Sequence, residues 1–223
     1  MSPRGPRSSA GRGALASAPP EQAYADLDRM PGPLDWFELF GRRAPVELEI
    51  GCGNGRFVAR EAAARPETDF LAVDRARPYA SLAARRLAKA ALANARAGCA
   101  EAEDLLERLV APASLDAAHI YFSDPWPKRR HAKRRLFQWP FLGLLARALK
   151  PGAIARVKTD VDWYFADIAA LFAEHGAFDL VEFGEQRDFP EDETAMTGFE
   201  SKAAVKRGRV FFLAARRKGK AAE

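Results

Sequence analysis

The sequence predicts an α/β protein whose sheet is mainly parallel and carries helices on both faces. Short apolar runs alternate with longer segments rich in Ala, Leu and Arg, a pattern typical of repeated βαβ units. The chain has 223 residues, of which 48% are apolar and 29% charged. That composition is ordinary for a globular protein, and the length suits one α/β domain with a complete core. Glycines and carboxylates follow several strands directly, at the edge where parallel sheets bind ligands.

Turn and cap residues set the boundaries of the elements in the first half of the chain. Gly51 ends the first strand, and Pro66 ends the helix that follows it. Pro78 suits the first turn of the next helix, where an amide donor is not needed. In chain order we predict a short helix at 33–40, a strand at 46–50, a helix at 56–65, a strand at 70–73, a helix at 78–94, a weak strand at 95–100 and a helix at 104–110.

The second half of the chain continues the alternation and then closes the sheet. Pro151-Gly152 ends a long helix and precedes the next strand. We predict a strand at 118–122, a helix at 136–149, a strand at 154–158, a helix at 162–175, and a closing pair of strands at 178–183 and 210–214. The resulting seven-stranded sheet would place the carboxyl ends of its parallel strands at one edge.

We predict that residues 1–20 form a flexible basic tail and that residues 21–223 form a single domain. The tail has three arginines and no acid, and it lacks the apolar core of a secretory signal. No stretch approaches about 18 apolar residues, so we expect no membrane span. Cys52 and Cys99 are the only cysteines, and three residues are histidine, too few for a disulfide framework or a tetrahedral zinc site. We expect a cytoplasmic protein without a metal site.

Positive charge is concentrated in a few segments rather than spread evenly. The net charge is +5, from 35 Lys and Arg against 30 Asp and Glu. Six of the eight residues 128–135 are Lys or Arg, as are eight of the residues 202–220, and neither segment contains an acid. An acidic stretch, 182–193, lies between them. Clustered cations favour a polyanionic partner such as nucleic acid, although solvated surfaces would give the same pattern.

A glycine-rich loop follows the first strand and leads into a helix. Gly51, Gly53 and Gly55 stand at alternate positions, and Glu49 precedes them. Glycines let the chain turn tightly and let a ligand approach the backbone. A carboxylate here would repel a pyrophosphate but attract an amino-acid ammonium, which favours S-adenosylmethionine over a nicotinamide dinucleotide. Asp74, at the end of the second strand, is placed to accept both ribose hydroxyls.

A proline-rich loop, Ser123-Asp124-Pro125-Trp126-Pro127-Lys128, ends the strand at 118–122 and carries a candidate base-binding carboxylate. Its two prolines remove backbone donors and would hold Asp124 and Trp126 in a rigid loop. A carboxylate beside an aromatic ring suits a nucleobase, because the ring stacks and the carboxylate accepts N–H groups. The basic segment 128–135 would place phosphate-binding charge next to this pocket.

The run from Ser123 to Leu136 closely resembles the signature of the bacterial tRNA (guanine-N7)-methyltransferases, which modify guanine 46 in the variable loop. The resemblance extends from about Val46 to about Phe212. It includes the glycine loop, Lys158-Thr159-Asp160 and Thr197-Gly198-Phe199-Glu200. It implies a Rossmann-like class I methyltransferase fold with a C-terminal antiparallel strand, and an enzyme that uses S-adenosylmethionine to methylate tRNA.

The resemblance also implies roles for individual residues. Those implied in donor binding are Glu49, Gly51, Gly53, Gly55, Asp74, Glu101 and Asp124, and Asp124 is the implied catalytic residue. Those implied in holding the guanosine are Lys128, Asp160, Thr197, Phe199 and Glu200. Those implied in RNA contact are Arg130, His131, Lys133, Arg134 and Arg135. The chain departs from the family pattern at Glu101, at Ala203 and in the spacing of 205–208.

Three other functions stay open at this point. A nicotinamide-dependent oxidoreductase could use the same sheet, although the glycine spacing, Glu49 and the basic segment argue against it. A non-catalytic RNA-binding relative would not need Asp74, Asp124 and Asp160 at one edge. A methyltransferase acting on another RNA or on a free nucleotide would share these features, and the basic segment disfavours the free nucleotide. As partners we expect tRNA and no membrane, with the protein a monomer or homodimer.

Overall fold

One eight-stranded sheet organises the computed structural model, which describes residues 23–186 and 208–219. Its strands are β1 (Tyr24–Ala25), β2 (Val46–Ile50), β3 (Asp69–Asp74), β4 (Ala95–Cys99), β5 (Leu115–Tyr121), β6 (Leu149–Thr159), β7 (Phe178–Gln186) and β8 (Val210–Arg217). Their order across the sheet is β1-β4-β3-β2-β5-β6-β8-β7. β8 is antiparallel to both neighbours, and the other neighbouring pairs are parallel. The predicted tail and the predicted site residues Thr197, Phe199 and Glu200 lie outside the described residues.

Six α-helices connect the strands within the described ranges. They are α1 (Trp36–Phe40), α2 (Arg56–Ala64), α3 (Arg77–Lys89), α4 (Ala102–Asp104), α5 (Trp139–Ala148) and α6 (Asp162–Glu174), with a π-helical turn at Leu105–Leu109 and 3₁₀ turns at Leu27–Arg29 and Arg129–Arg134. Asp35 caps α1 by accepting hydrogen bonds from the amides of Phe37 and Glu38 at 2.8 and 3.3 Å. Among these described helices, none has the length and apolar character needed to cross a membrane.

Two apolar clusters cover the two faces of the sheet. Leu105, Phe141 and Phe172 belong to the cluster on one face, which the π-helical turn, α5 and α6 help to form. Val58 of α2 and Leu87 of α3 belong to the cluster on the other face. This arrangement confirms the predicted α/β architecture with helices on both faces, because each helix buries one apolar stripe against the sheet.

The prediction was wrong about the number of strands and about the end of one helix. β1 is an eighth strand, and its two residues pair with Ala97 and Gly98 of β4. A strand of two residues is too short to show a period in the sequence. The helix predicted at 78–94 ends at Lys89, and Ala91 then takes a left-handed φ of 54°, which a continuing helix does not allow.

Several boundaries in the second half of the chain differ from the prediction. β5 begins at Leu115 instead of 118, α5 begins at Trp139 instead of 136, and the two closing strands extend to Gln186 and Arg217. The largest difference concerns β6. β6 begins at Leu149 and runs through Pro151-Gly152, which the sequence indicated as a turn before the strand. The pairing of β6 with β5 shifts register between Leu115 and Ala117, and such an irregularity accommodates a residue without an amide donor. The basic segment, for which the sequence predicted neither a helix nor a strand, forms a 3₁₀ helix at Arg129–Arg134.

The parallel strands bring the predicted carboxylates to one edge of the sheet. The glycine loop follows β2, and Asp74 is the last residue of β3. Glu101 lies two residues after β4, Asp124 lies three residues after β5, and Asp160 directly follows β6. The carboxyl edge of the sheet is therefore the region in which the candidate site is assembled.

Candidate active site

The glycine loop requires glycine because its backbone is left-handed. φ is 79° at Gly51, 53° at Gly53 and 71° at Gly55, a region that residues with a side chain rarely adopt. Gly55 has a second constraint, because a Cβ atom there would lie 2.8 Å from the Cα of Ala83 in α3. Since Gly55 directly precedes α2, this close approach fixes the beginning of α2 at the carboxyl edge.

Asp74 holds the glycine loop as well as its own turn. Its Oδ2 accepts a hydrogen bond from the amide of Gly53 at 3.0 Å, and its Oδ1 accepts one from the amide of Ala76 at 2.8 Å. The carbonyl of Val73 accepts from the amide of Gly51 at 2.8 Å. Each carboxylate oxygen has a further lone pair, so Asp74 can hold the loop and still accept hydroxyl groups of a ligand.

Glu49 of β2 is a buried carboxyl whose Oε2 lacks a hydrogen-bond partner within the described part of the chain. The residue is only 5% exposed. Burial raises its pKa to about 8, and the negative charges of Asp74 and Glu61 contribute in the same direction. A hydrogen bond from the Val58 amide and the charge of Arg60 act in the opposite direction. A cationic ligand beside this oxygen would remove an unsatisfied buried acceptor that costs about 1–3 kcal/mol.

The loop after β5 is held in a defined conformation. Phe122 and Trp126 adopt left-handed φ values of 56° and 43°, which are uncommon for residues other than glycine. The amide of Phe122 donates to the carbonyl of Lys158 at 2.8 Å, which ties the loop to the end of β6. Asp124 lies between the two left-handed residues and is exposed. Its carboxylate is thus available to a ligand at the sheet edge.

The 3₁₀ helix packs two of its side chains, Arg134 and His131, against Trp126. The guanidinium carbon of Arg134 lies 5.0 Å from the centre of the Trp126 ring, within cation–π range. The ring of His131 meets the same indole edge-on, with centroids 5.6 Å apart. Arg130 and Lys133 are exposed on this helix. The loop and the helix therefore form one surface with an aromatic centre and a basic rim.

Arg135, the residue that ends the 3₁₀ helix, points toward the protein. Its Nε donates to the carbonyl of Pro125 at 3.0 Å, and one terminal nitrogen donates to the carbonyl of Trp126 at 3.3 Å. The other terminal nitrogen lies 3.2 Å from a carboxylate oxygen of Asp167 in α6. The side chain is only 19% exposed. RNA contact by Arg135 stays a prediction, and its described contacts are with the protein.

Three other predicted site residues, Glu101, Lys128 and Asp160, also follow strands at the carboxyl edge of the sheet. Their described contacts do not include the glycine loop. Glu101 and Lys128 are exposed, and Asp160 is half-buried. Glu101 precedes α4, and the neighbouring amide of Ala100 donates to the carbonyl of Asp74 at 3.2 Å. The structure therefore brings Asp74 onto the loop by direct hydrogen bonds, and it places the other carboxylates on neighbouring strand ends.

A buried polar network next to the site was missed by the sequence reasoning. Glu47 accepts hydrogen bonds from Arg65 at 2.6 and 2.9 Å, and its Oε2 lies 2.8 Å from Nε2 of His119. Nδ1 of His119 lies 2.9 Å from the Tyr121 hydroxyl. Burial lowers the pKa of His119. Because an ionised carboxylate only accepts hydrogen bonds, Nε2 of His119 donates to Glu47. The alternation of Glu47 and Glu49 in an otherwise apolar strand was the signal available.

Comparison with protein families tests the resemblance noted in the sequence. A family model described as "Putative methyltransferase" matches residues 43–213, well over half of the chain. The chain belongs to this family. The match includes the glycine loop, the proline-rich loop and the basic segment, and it confirms the predicted methyltransferase family.

Curated relatives named tRNA (guanine-N(7)-)-methyltransferase match the central part of the chain. The protein of Nitrosococcus oceani is 41% identical over 152 residues, which cover 68% of this chain and 64% of the relative. That of Burkholderia thailandensis is 48% identical over 126 residues, or 56% of this chain and 48% of the relative. The matched part of the chain spans about half to two thirds of the length of these relatives.

Solved structures confirm the predicted class I methyltransferase fold. The 16S rRNA methyltransferase KamB is 20% identical with a TM-score of 0.60, over 82% of this chain and 92% of that chain. The antibiotic-resistance methyltransferase Kmr is 22% identical with a TM-score of 0.56, over 80% of this chain and 89% of that chain. At these identities the likeness establishes the fold alone.

Proposed function

We propose that this protein transfers a methyl group from S-adenosylmethionine to N7 of guanine 46 in the variable loop of tRNA. The observation that supports this most is a juxtaposition on neighbouring strands. β2 ends in the glycine loop. The neighbouring strand β5 ends in the proline-rich loop, which leads into the 3₁₀ helix Arg129–Arg134, here called the basic helix. Such a surface suits a methyl donor, a base and a phosphate backbone together. The names of the curated relatives support the same substrate.

The residues around the glycine loop fit this donor. The unpartnered buried oxygen of Glu49 would accept a hydrogen bond from the donor's ammonium. Asp74 would accept the ribose hydroxyls, and Glu101, after the next strand, would lie near the adenine. Gly51 and Gly53 would let the donor approach the backbone. When bound, the donor supplies an electrophilic methyl carbon on its sulfonium.

The chain's own contribution to the reaction is positioning and charge. N7 of guanine has a free lone pair and no proton, so the nucleophile needs no general base. Positioning of the reacting groups can supply up to about 7–11 kcal/mol of the barrier reduction. Asp124 would accept N–H groups of the base and stabilise the positive charge that develops on the methylated ring. The residues that would hold the nucleoside are Lys128, Asp160, Thr197, Phe199 and Glu200.

The basic helix would bind the phosphates of the RNA. Arg130, His131, Lys133 and Arg134 lie on one short helix next to the loop that carries Asp124. Cations at this place would fix the register of the RNA on the enzyme without reading its sequence. A tRNA substrate supports a location in the cytoplasm, where the protein would act as a monomer or homodimer.

The proposal is tested with methyl-labelled S-adenosylmethionine and two tRNA transcripts. The transcripts are identical except for guanine or adenine at position 46, and mass spectrometry of the nucleosides is the readout. We expect 7-methylguanosine only in the transcript with guanine.

Two other outcomes would contradict the proposal in different ways. Methylation of both transcripts would keep the enzyme class and move the target to another nucleotide. Tight binding of donor and tRNA without methylation would favour a catalytically inactive RNA-binding relative.

A further inference from the structure

The guanidinium of Arg135 donates hydrogen bonds to two consecutive backbone carbonyls of the loop that carries Asp124. Those carbonyls belong to Pro125 and Trp126, at 3.0 and 3.3 Å. Pro125 and Pro127 have no amide donor, and Trp126 has a left-handed φ of 43°. The two prolines therefore cannot donate to a regular ladder, and the carbonyls of Pro125 and Trp126 accept from the Arg135 side chain instead.

The same guanidinium is anchored from the opposite side by α6. Its remaining terminal nitrogen lies 3.2 Å from a carboxylate oxygen of Asp167. Its carbon lies 4.8 Å from the centre of the Trp163 ring and 6.0 Å from that of Tyr164. Tyr164 is 1% exposed, and its hydroxyl lies 3.4 Å from Oγ of Ser123 at the start of the loop. Arg135 thus joins the loop to a helix that packs in the core.

We propose that Arg135 is a positioning residue that fixes the Asp124 loop, in contrast to the exposed cations of the basic helix, which under the proposed function would contact RNA. A planar guanidinium offers donors in a fixed fork, which suits two adjacent carbonyls and a carboxylate. All three side-chain nitrogens of Arg135 donate in this way. The kinetic part of this inference rests on the proposed function, and the structural part does not.

The test compares three variants by amide hydrogen exchange of the loop at residues 122–128, with the amide of Phe122, which donates to the carbonyl of Lys158 at 2.8 Å, as the main reporter. Arg135→Ala removes all the contacts, and Arg135→Lys keeps the charge but cannot reproduce the fork. Lys133→Ala is the matched control, since it removes one exposed cation from the same short helix. We expect exchange in the loop to become about tenfold faster or more in both Arg135 variants and to stay unchanged in Lys133→Ala, because only the former lose hydrogen bonds to the loop.

Binding and turnover separate positioning from phosphate contact. For the Arg135 variants we expect kcat to fall about tenfold, with the KM for tRNA and the salt dependence of tRNA binding nearly unchanged. For Lys133→Ala we expect the slope of log Kd against log salt concentration to fall by about one. Circular dichroism and thermal melts establish that each variant is folded, and Arg135→Lys carries the test if Arg135→Ala does not fold.

Two results would overturn the inference. Unchanged loop exchange in both Arg135 variants would show that the loop holds its conformation without this side chain. A reduced salt slope in Arg135→Ala, with unchanged loop exchange, would make Arg135 one more phosphate contact. If the wild-type protein does not methylate tRNA, the proposed function fails, while the exchange comparison still decides the role of Arg135.

Discussion

At the scale of one residue, Glu49 is a position where ligand binding favours a charged side chain and the stability of the protein without ligand favours a neutral one. Its carboxyl lies on a central strand, 5% exposed, with one oxygen unpartnered among the described residues. Its pKa of about 8 lies well above the ordinary value of 4.5 because burial disfavours the charged form. A residue of this kind is costly in the empty protein, and a cationic ligand is what would offset that cost.

We predict that Glu49→Gln stabilises the empty protein and weakens donor binding. Between pH 4.5 and 8 the folded protein retains a proton that the unfolded chain releases, so wild-type stability falls as pH rises through this range. Near pH 8.5 the variant should be more stable by roughly 1–4 kcal/mol, and the difference should vanish near pH 4.5. Denaturant melts across this pH range measure the effect.

Calorimetric titration with S-adenosylmethionine provides the second measurement on Glu49. Donor affinity of the wild type should rise with pH up to about 8, because the ionised carboxylate is the better partner for an ammonium. The affinity of Glu49→Gln should be weaker and nearly independent of pH. Equal affinities of the wild type and Glu49→Gln for S-adenosylmethionine would show that Glu49 does not bind the donor.

Elements are positioned at the site by contacts at their ends, as α2 shows. At its beginning, Gly55 lies against the Cα of Ala83 in α3. At its end, Arg65 pairs with Glu47 of β2 at 2.6 Å and with Glu61 at 3.0 Å. The two ends thus attach α2 to a neighbouring helix and to the central strand, and the glycine loop lies between that strand and the helix.

We predict that Gly55→Ala destabilises the protein by about 2–4 kcal/mol, because it adds a clash with backbone to an unfavourable φ. Gly53→Ala is the matched control, since Gly53 also has a positive φ but no atom within 4 Å of its missing Cβ. That variant should cost about 1 kcal/mol. Urea unfolding compares the two, and equal losses would show that the contact with α3 carries no weight.

We predict that the Glu47 network contributes to the stability of the folded protein and that this contribution is lost at low pH. Hydrogen bonds from His119 and Arg65 lower the pKa of Glu47 to about 2 against burial, from an ordinary value of 4.5. A carboxyl with a lowered pKa contributes stability above its unfolded pKa, and this contribution is lost as pH falls from about 4.5 toward 2. Glu47→Gln should therefore cost about 1–3 kcal/mol at pH 7 and flatten the acid limb of the stability profile.

The control for Glu47 is an exposed ion pair. Asp104 and Arg108 pair at 2.6 Å with both side chains about half exposed, so Asp104→Asn should cost less than about 0.5 kcal/mol. Thermal melts between pH 3 and 7 distinguish the two variants. A Glu47→Gln profile that parallels the wild type would exclude the network as the source of acid sensitivity.

Charge distribution is the property of the whole molecule that bears on its partner. The net charge is only +5, but the basic helix places Arg130, Lys133 and Arg134 on the surface beside Asp124. Local clusters of cations, more than the net charge, set the affinity for a polyanion and its dependence on salt.

We predict that the double variant Lys133→Ala, Arg134→Ala binds tRNA more weakly and lowers the slope of log Kd against log salt concentration by about two. Filter binding at several salt concentrations measures the slope. Donor binding should be unchanged, because the described contact of Arg134 is with Trp126 and not with the glycine loop. If the double variant has the same slope as the wild type, the basic helix does not contact the phosphates of the RNA.

Much of the fold was predictable because its strands are short apolar runs ended by glycine, proline or aspartate. The strand at 46–50 and its glycine loop, and the start of the helix at Arg56, were predicted at their observed positions. β1 was not, since its two residues owe their conformation to pairing with β4. The continuation of β6 through Pro151 was missed for the same reason, because pairing with β5 overrides the local turn preference.

The sequence by itself determined the family, the fold class and the residue types at the carboxyl edge. Those properties depend on local patterns and on motifs whose order along the chain is enough to recognise them. Only the tertiary structure decided that Glu49 is buried with an unpartnered oxygen, that Glu47 pairs with His119 and Arg65, and that Arg135 turns away from its basic neighbours to bind the Asp124 loop. Burial and hydrogen-bond partners come from segments far apart in the chain, and no local pattern encodes them.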